Sequence, residues 1–301
     1  MVNILFGGGC IEAGEKECLK TTTIFNTDTF DFEENSPFTI PRRGSQFHIL
    51  ENDLFVIGGC EGYRQHLDSI EKYNNKKWNI LNDIKLPNKN SCFTSINVNK
   101  TSVIIFGGFN GLECLNDVSQ IVNQNNQMKV NKLPNLSTRL KNSTSCYKEN
   151  QSTDPLLFGG WDEGRTLKTI FEYNLEKQKL FMDGLMCVPL EGHTITKISY
   201  KKVAIIIGGY DGICVLNSIF LYNFEEKSMK KLNVCLKIPR ENHCTIYDDE
   251  KKLLFIANGW NGFKALNSIE IFEVISQEPW LIPRNEIFSP IEGNKLCTIM
   301  F

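Results

Sequence analysis

The sequence has no apolar run long enough to span a bilayer, and its opening Met1-Val-Asn-Ile-Leu-Phe-Gly-Gly has neither a basic start nor a cleavage region. Neither a membrane span nor a signal peptide is expected. It has almost no net charge: 33 lysines and arginines face 35 aspartates and glutamates. No field follows that would gather nucleic acid or an anionic membrane surface, so neither is expected as a partner. It has no Cys-x-x-Cys, and its eleven cysteines are an odd number spread along the chain. That usage predicts reduced thiols and a cytoplasmic address. Zinc-ligand spacing is missing, so no metal site is expected. Neither Gly-x-Gly-x-x-Gly nor Gly-Lys-Ser/Thr precedes a helix, and no nucleophile elbow surrounds a serine, so no phosphate loop, cofactor or acyl-transfer site is predicted.

What is present is a repeat. A short apolar run followed by a glycine pair recurs at Gly7-Gly8, Gly58-Gly59, Gly107-Gly108, Gly159-Gly160 and Gly208-Gly209, and as Asn258-Gly259, in steps of 49 to 52 residues. The runs themselves, such as Val103-Ile-Ile-Phe and Val203-Ala-Ile-Ile-Ile, are β-branched or bulky throughout and predict strands buried on both faces. A second, alternating strand follows, in Leu67-Asp-Ser-Ile-Glu-Lys-Tyr-Asn, Leu167-Lys-Thr-Ile-Phe-Glu-Tyr-Asn, Leu216-Asn-Ser-Ile-Phe-Leu-Tyr-Asn and Leu266-Asn-Ser-Ile-Glu-Ile-Phe.

Diglycine after an apolar strand, then Leu-Asn-Ser-Ile-x-x-Tyr, then a tryptophan such as Trp78 or Trp280, resembles the kelch repeat, whose length is close to fifty residues. The resemblance covers essentially the whole chain and implies an all-β fold over 1–301, a single six-bladed β-propeller of four-stranded antiparallel blades. Because the chain begins at the diglycine strand of blade 1, the missing inner strand is expected from residues 294–301. Those residues would close the ring beside Asn3 to Phe6.

The same resemblance implies that the lead-in to each inner strand and the segment after each diglycine emerge on one face. The lead-ins place Arg43, Lys89, Lys141, Glu191, Glu241 and Glu292 at equivalent positions, predicting a channel mouth that is basic across blades 2 to 4 and acidic across blades 5, 6 and 1. The segments after the glycines add Phe109, Trp161, Tyr210 and Trp260, with Arg165 beside them, residue types that dominate binding hot spots. Blade 1 has a longer loop, Cys10 to Cys18, whose two thiols can pair under oxidation. The reading is a module that binds a protein or peptide partner as a scaffold or substrate-recognition subunit, any ligase or cytoskeletal link being made through another subunit. A second reading is an enzyme. His193 and His243 stand at equivalent positions two residues after a glutamate, and kelch-like propellers include sugar mutarotases that need an acid and a base.

Overall fold

The computed structural model describes residues 3–11, 18–125, 127–149, 154–198, 201–278, 280–288 and 299–300. They form strands and turns only, so among them no helix is long and apolar enough to cross a membrane. Blade 1 contributes β1 (Asn3–Gly7), β2 (Thr22–Asn26) and β3 (Phe32–Asn35). Blade 2 is β4 (Gln46–Leu50), β5 (Asp53–Ile57), β6 (Ser69–Asn74) and β7 (Lys77–Lys85). Blade 3 is β8 (Thr94–Asn99), β9 (Ser102–Phe106), β10 (Val118–Gln124) and β11 (Gln127–Leu133). Blade 4 is β12 (Thr144–Tyr147), β13 (Pro155–Phe158), β14 (Thr169–Asn174) and β15 (Lys179–Leu185). Blade 5 is β16 (Thr194–Lys197), β17 (Val203–Ile207), β18 (Ser218–Asn223) and β19 (Ser228–Cys235). Blade 6 is β20 (Cys244–Asp248), β21 (Leu253–Ala257), β22 (Ile269–Val274) and β23 (Leu281–Phe288). Blades 2 to 6 are antiparallel sheets in sequence order from the channel outward. Of the segment expected to complete blade 1, β24 (Ile299–Met300) pairs with β1 through Leu5↔Met300 and Phe6↔Ile299. Residues 294–298 and 301 lie outside the described residues.

The core is six seams. In β17, Val203, Ile205 and Ile207 pack toward blade 6 with Leu254, Ile256 and Phe272, while Ala204 and Ile206 pack toward blade 4 with Leu156 and Phe158. In β9, Val103 and Ile105 face blade 2 and Ile104 and Phe106 face blade 4. The seam between blades 6 and 1 joins Phe255 and Ile271 to Ile4, Phe6 and Phe25. The seam between blades 1 and 2 joins Leu5 to Phe38, Phe47, Val56 and Trp78. This is why the second strand of every blade lacks an apolar–polar alternation: its pleat delivers side chains to two neighbours, and neither face meets water.

The glycine pair lets neighbouring blades touch through backbone. Gly108 N–H donates to Leu140 O at 2.7 Å, and Gly9, Gly59, Gly160 and Gly209 make the same bond to Arg42, Asn90, Leu190 and Arg240 of the following blade. Gly107 has φ +59°, and a Cβ there would stand 2.0 Å from the Leu140 carbonyl oxygen. By this criterion the pair of blade 1 is Gly8-Gly9, one residue later than the apolar run suggests, since Gly7 still belongs to β1. Asn258 takes the first position in blade 6 at φ 62°, a conformation that asparagine tolerates better than most residues.

In blades 2, 4, 5 and 6 the lead-in residue under the diglycine is held in one of two ways, while in blade 3 Asn90 Nδ2 donates to Gly107 O at 2.7 Å and its Oδ1 accepts the Phe109 amide. In blade 2, the fully buried Arg42 donates to Gly58 O at 2.6 Å and to Glu71 Oε1 at 2.5 Å, and the Glu71 carboxylate accepts the amides of Thr39 and Ile40. Blade 6 repeats this with Arg240, Asn258 O and Glu270, whose carboxylate accepts the amides of Lys237 and Ile238. In blades 4 and 5 the same two positions hold Leu140 with Phe171 and Leu190 with Phe220, packed in the apolar seams. A buried ion pair whose lone pairs and protons are satisfied can be exchanged for an apolar pair, but half of it cannot be left alone. Glu270→Ala is therefore expected to cost about 3–5 kcal/mol in urea unfolding. The double variant Arg240→Leu, Glu270→Phe, copying blade 5, is expected to recover a large part of that loss. A double variant no more stable than the single one would refute the interchange.

Candidate functional site

Five described lead-ins converge on the channel mouth. Arg43, Ser91, Lys141, Glu191 and Glu241 each form a two-residue bridge with the residue after the diglycine of the same blade: Cys60, Phe109, Trp161, Tyr210 and Trp260. Those residues bridge outward in turn to His66, Cys114, Thr166, Val215 and Ala265. Residues directly opposite in an antiparallel pair project to the same side, so each lead-in side chain stands beside the side chain it pairs with. The residue after each lead-in lies in the left-handed region, and these five are tied in a chain around the axis. Cys92 N–H donates to Gly44 O, Asn142 to Cys92, Gly192 to Asn142 and Asn242 to Gly192, at 2.7 to 2.9 Å. The mouth is thus fixed by main chain before any side chain is considered.

Lys89 is not part of this ring. It lies in an exposed turn, and Ser91 holds the position expected for it. Pro41, Pro189 and Pro239 precede their ring residues by two, whereas Pro87 precedes Ser91 by four, so aligning on the proline shifts blade 3 out of register. Glu292 lies outside the described residues. The described ring accordingly runs Arg43, neutral Ser91, Lys141, Glu191, Glu241. Lys141 Nζ sits 4.5 Å from the Trp161 ring centre and 5.0 Å from that of Phe109. Glu191 accepts from Asn142 Nδ2 at 3.1 Å and from Thr166 Oγ1 at 3.3 Å, both in blade 4. Burial, with the neighbouring Glu191 adding and Lys141 opposing, pushes the Glu241 carboxyl up to about 7.

Beyond the bridges the chain makes a tight turn in each of blades 3 to 6, and sequence reasoning missed what these turns carry. Asn110, Asp162, Asp211 and Asn261 each accept two amides, from the second and third residues onward, at 2.8 to 2.9 Å. The residue at the tip is Leu112, Gly164, Ile213 and Phe263 in turn. The three apolar tips are 91%, 87% and 90% exposed. The signal was in the sequence as Asn-Gly-Leu, Asp-Gly-Ile and Asn-Gly-Phe, where a side chain on a solvated turn had no apparent reason to be apolar. Arg165 follows the tip in blade 4, exposed, with Nε 3.7 Å from Asp162. Arg139 ties two of the turns together through Glu113 at 2.5 Å and Glu163 at 2.9 Å. Below the mouth lies a channel cavity of about 1380 Å³ walled by the inner strands, with Gln46, His48, Thr94 and Thr144 among its lining.

His193 and His243 also reach the cavity wall, but they are only 2% and 5% exposed. His193 Nε2 is 2.9 Å from Thr144 Oγ1 of blade 4, and His243 Nε2 is 2.9 Å from Thr194 Oγ1 of blade 5. They bolt adjacent blades together. Burial lowers the His193 pKa to about 3, and burial with Arg240 and His193 nearby takes His243 well below its ordinary value. Bases this weak accept protons poorly at neutral pH, so their surroundings do not support the acid–base reading. The unfolded imidazole binds its proton near pH 6.5 while the folded one stays neutral, so stability is complete above that pH and is lost as pH falls. Each histidine should steepen the loss by about 1.4 kcal/mol per pH unit. Urea unfolding of His193→Phe, which borrows the residue of blade 3 (Phe93), is expected to show a flatter decline than the native chain between pH 6.5 and 4.5. Parallel declines would show that His193 titrates normally in the folded protein.

A family model for the Kelch motif matches residues 41–84, which is blade 2 from its lead-in to its outer strand. No curated protein matches the chain at a significant level. The frame on which the motif match falls is repeated around the ring: a left-handed first position of the glycine pair in every blade, the same inter-blade bond from its second glycine in blades 1 to 5, and four antiparallel strands per blade. Propellers of this kind commonly serve as protein-interaction modules. With six such blades arranged about one channel, the chain is a kelch-repeat β-propeller.

Proposed function

We propose that the protein binds a protein or peptide partner on the loop face around the channel mouth, as a scaffold or substrate-recognition subunit. The observation that carries this reading is the set of apolar turn tips. Leu112, Ile213 and Phe263 stand at equivalent positions, are about nine-tenths exposed, and are held by side-chain-to-backbone bonds that fix each turn. Fully solvated leucine, isoleucine and phenylalanine gain nothing from folding, whereas covering each one is worth roughly 1.5–3 kcal/mol. Rigid turns also lose little entropy when a partner covers them.

Inside this apolar crown the charges are divided. Arg43 and Lys141 lie on one side of the mouth and Glu191 and Glu241 on the other, which orients a partner and sets its register more than it adds affinity. Lys141, already held over two aromatic rings, and Trp161 beneath it form a compact anchor of the type that dominates binding energy.

The test is affinity capture from cells of the source organism with the intact chain, Lys141→Glu, the double variant Ile213→Asp, Phe263→Asp, and the opposite-face control Lys76→Glu. Lys76 lies in the exposed turn between β6 and β7, at the far end of the blade. A partner retained by the intact chain and the control, but reduced at least tenfold by the other two variants, is the expected result. Loss of about 1.4 kcal/mol corresponds to that factor. Equal capture by all four proteins would remove the loop face from consideration.

A further inference from the structure

Four blades place an aromatic ring immediately after the diglycine. Blades 1 and 2 place cysteines there instead, Cys10 and Cys60, at adjacent positions on the mouth. Cys10 bridges to Cys18 and Cys60 bridges to His66, so the substitution brings several thiols to one seam. The backbones of the two blades meet there: Cys18 N–H donates to Glu61 O at 3.3 Å. The Cys18 and Cys60 side chains act on each other's protonation across this seam, and His66 Nδ1 lies 2.9 Å from Ser91 Oγ. Arg43, whose peptide is bridged to Cys60, points its guanidinium at Cys10, with Nη1 3.8 Å from Sγ. Cys60 and Cys10 both line the channel cavity, and all three thiols are free.

We propose that Cys60 and Cys18 are a redox-active thiol pair, which a hydroperoxide entering the channel converts to a disulfide joining blade 2 to blade 1. Cys60 is the group that reacts first, because it lines the channel cavity through which the oxidant enters and Cys18 is not among the residues of that lining. The hydrogen bond from Cys18 stabilises its thiolate, with His66 and the Gly62 amide adding to this and burial opposing it, so its pKa falls. Cys18 moves the other way, raised by that same bond and by burial, and it keeps its proton until the second step. In the first step the Cys60 sulfur attacks the peroxide, the O–O bond breaks and the alkoxide or hydroxide leaves, taking a proton from the medium. In the second, the Cys18 sulfur attacks the Cys60 sulfenic acid, the S–O bond breaks and water departs with the Cys18 proton. Two thiols supply two electrons, and one hydroperoxide becomes an alcohol and water, or two waters from hydrogen peroxide. Cys114 and Cys146 are the internal contrast. Burial raises both thiols to about 12, and neither has a donor arrangement like that around Cys60.

The experiment uses the full chain, reduced, desalted and exposed to hydrogen peroxide. Remaining thiols are blocked with a maleimide, and the protein is digested without reductant for mass spectrometry. The expected product is a peptide pair linked through Cys18 and Cys60 that dithiothreitol dissociates, with Cys114 and Cys146 still blocked as thiols. Cys10→Ser should still give the link. Cys18→Ser should lose it entirely and leave Cys60 as a sulfenic acid trapped by dimedone. A predominant Cys10–Cys18 link, or Cys60 recovered as a free thiol while the exposed Cys187 and Cys235 are oxidised, would overturn the proposal.

Discussion

The structure depends on one constraint: the second strand of each blade is buried on both faces. A strand such as Val203–Ile207 sends alternate side chains into two different seams, so no blade completes its own core and each is stable only between two others. Stability therefore grows around the ring. The seam between blades 6 and 1 joins residues more than two hundred positions apart, a long-range contact that local strand formation cannot supply.

Close packing of the seams requires the backbones to approach, and the diglycine supplies the approach. In blades 1 to 5 its second amide meets the carbonyl of the following blade's lead-in, which locks that lead-in residue and, through it, the position of the mouth ring. What fills the space beneath is variable. Arginine with glutamate and leucine with phenylalanine solve the same packing problem in different blades, the first by satisfying every polar atom of a buried pair except Arg Nε, the second by having none to satisfy. Histidine and threonine likewise serve as seam bonds between blades 4, 5 and 6, where blade 3 uses Thr94 on the Ser143 carbonyl. The repeat conserves positions and bonds more strictly than residues.

Because the frame is rigid, the loop face is free to diverge. It carries apolar tips in blades 3, 5 and 6, a glycine tip with a neighbouring arginine in blade 4, and thiols where blades 1 and 2 depart from the aromatic pattern. The residues at the mouth mix roles that a sequence cannot separate. Lys141 lies over two rings in the open mouth, while His193, two positions later in the repeat frame, is sealed in a seam.

The period, the six doubly buried strands and the two thiols that flank the blade 1 loop are written in the sequence, because each follows from local pleat geometry and from the intolerance of a left-handed backbone for most side chains. The one-sided burial expected of the next strands, by contrast, fails in β18, whose Ile219 and Leu221 enter one seam and Phe220 and Tyr222 the other. The aromatics after the diglycines could also be located from sequence alone. Register could not. Lys89 looks equivalent to Lys141 when blades are aligned on proline, yet the inter-blade bond to Asn90 fixes Ser91 there, and the bond to Arg42 moves the first glycine pair to Gly8-Gly9. Whether a histidine faces solvent or a neighbouring threonine, and which cysteines from separate repeats meet at one seam, are set by contacts between segments about fifty residues apart. Sequence order determined the blade; only the closing of blades against one another decided which side chains share the mouth.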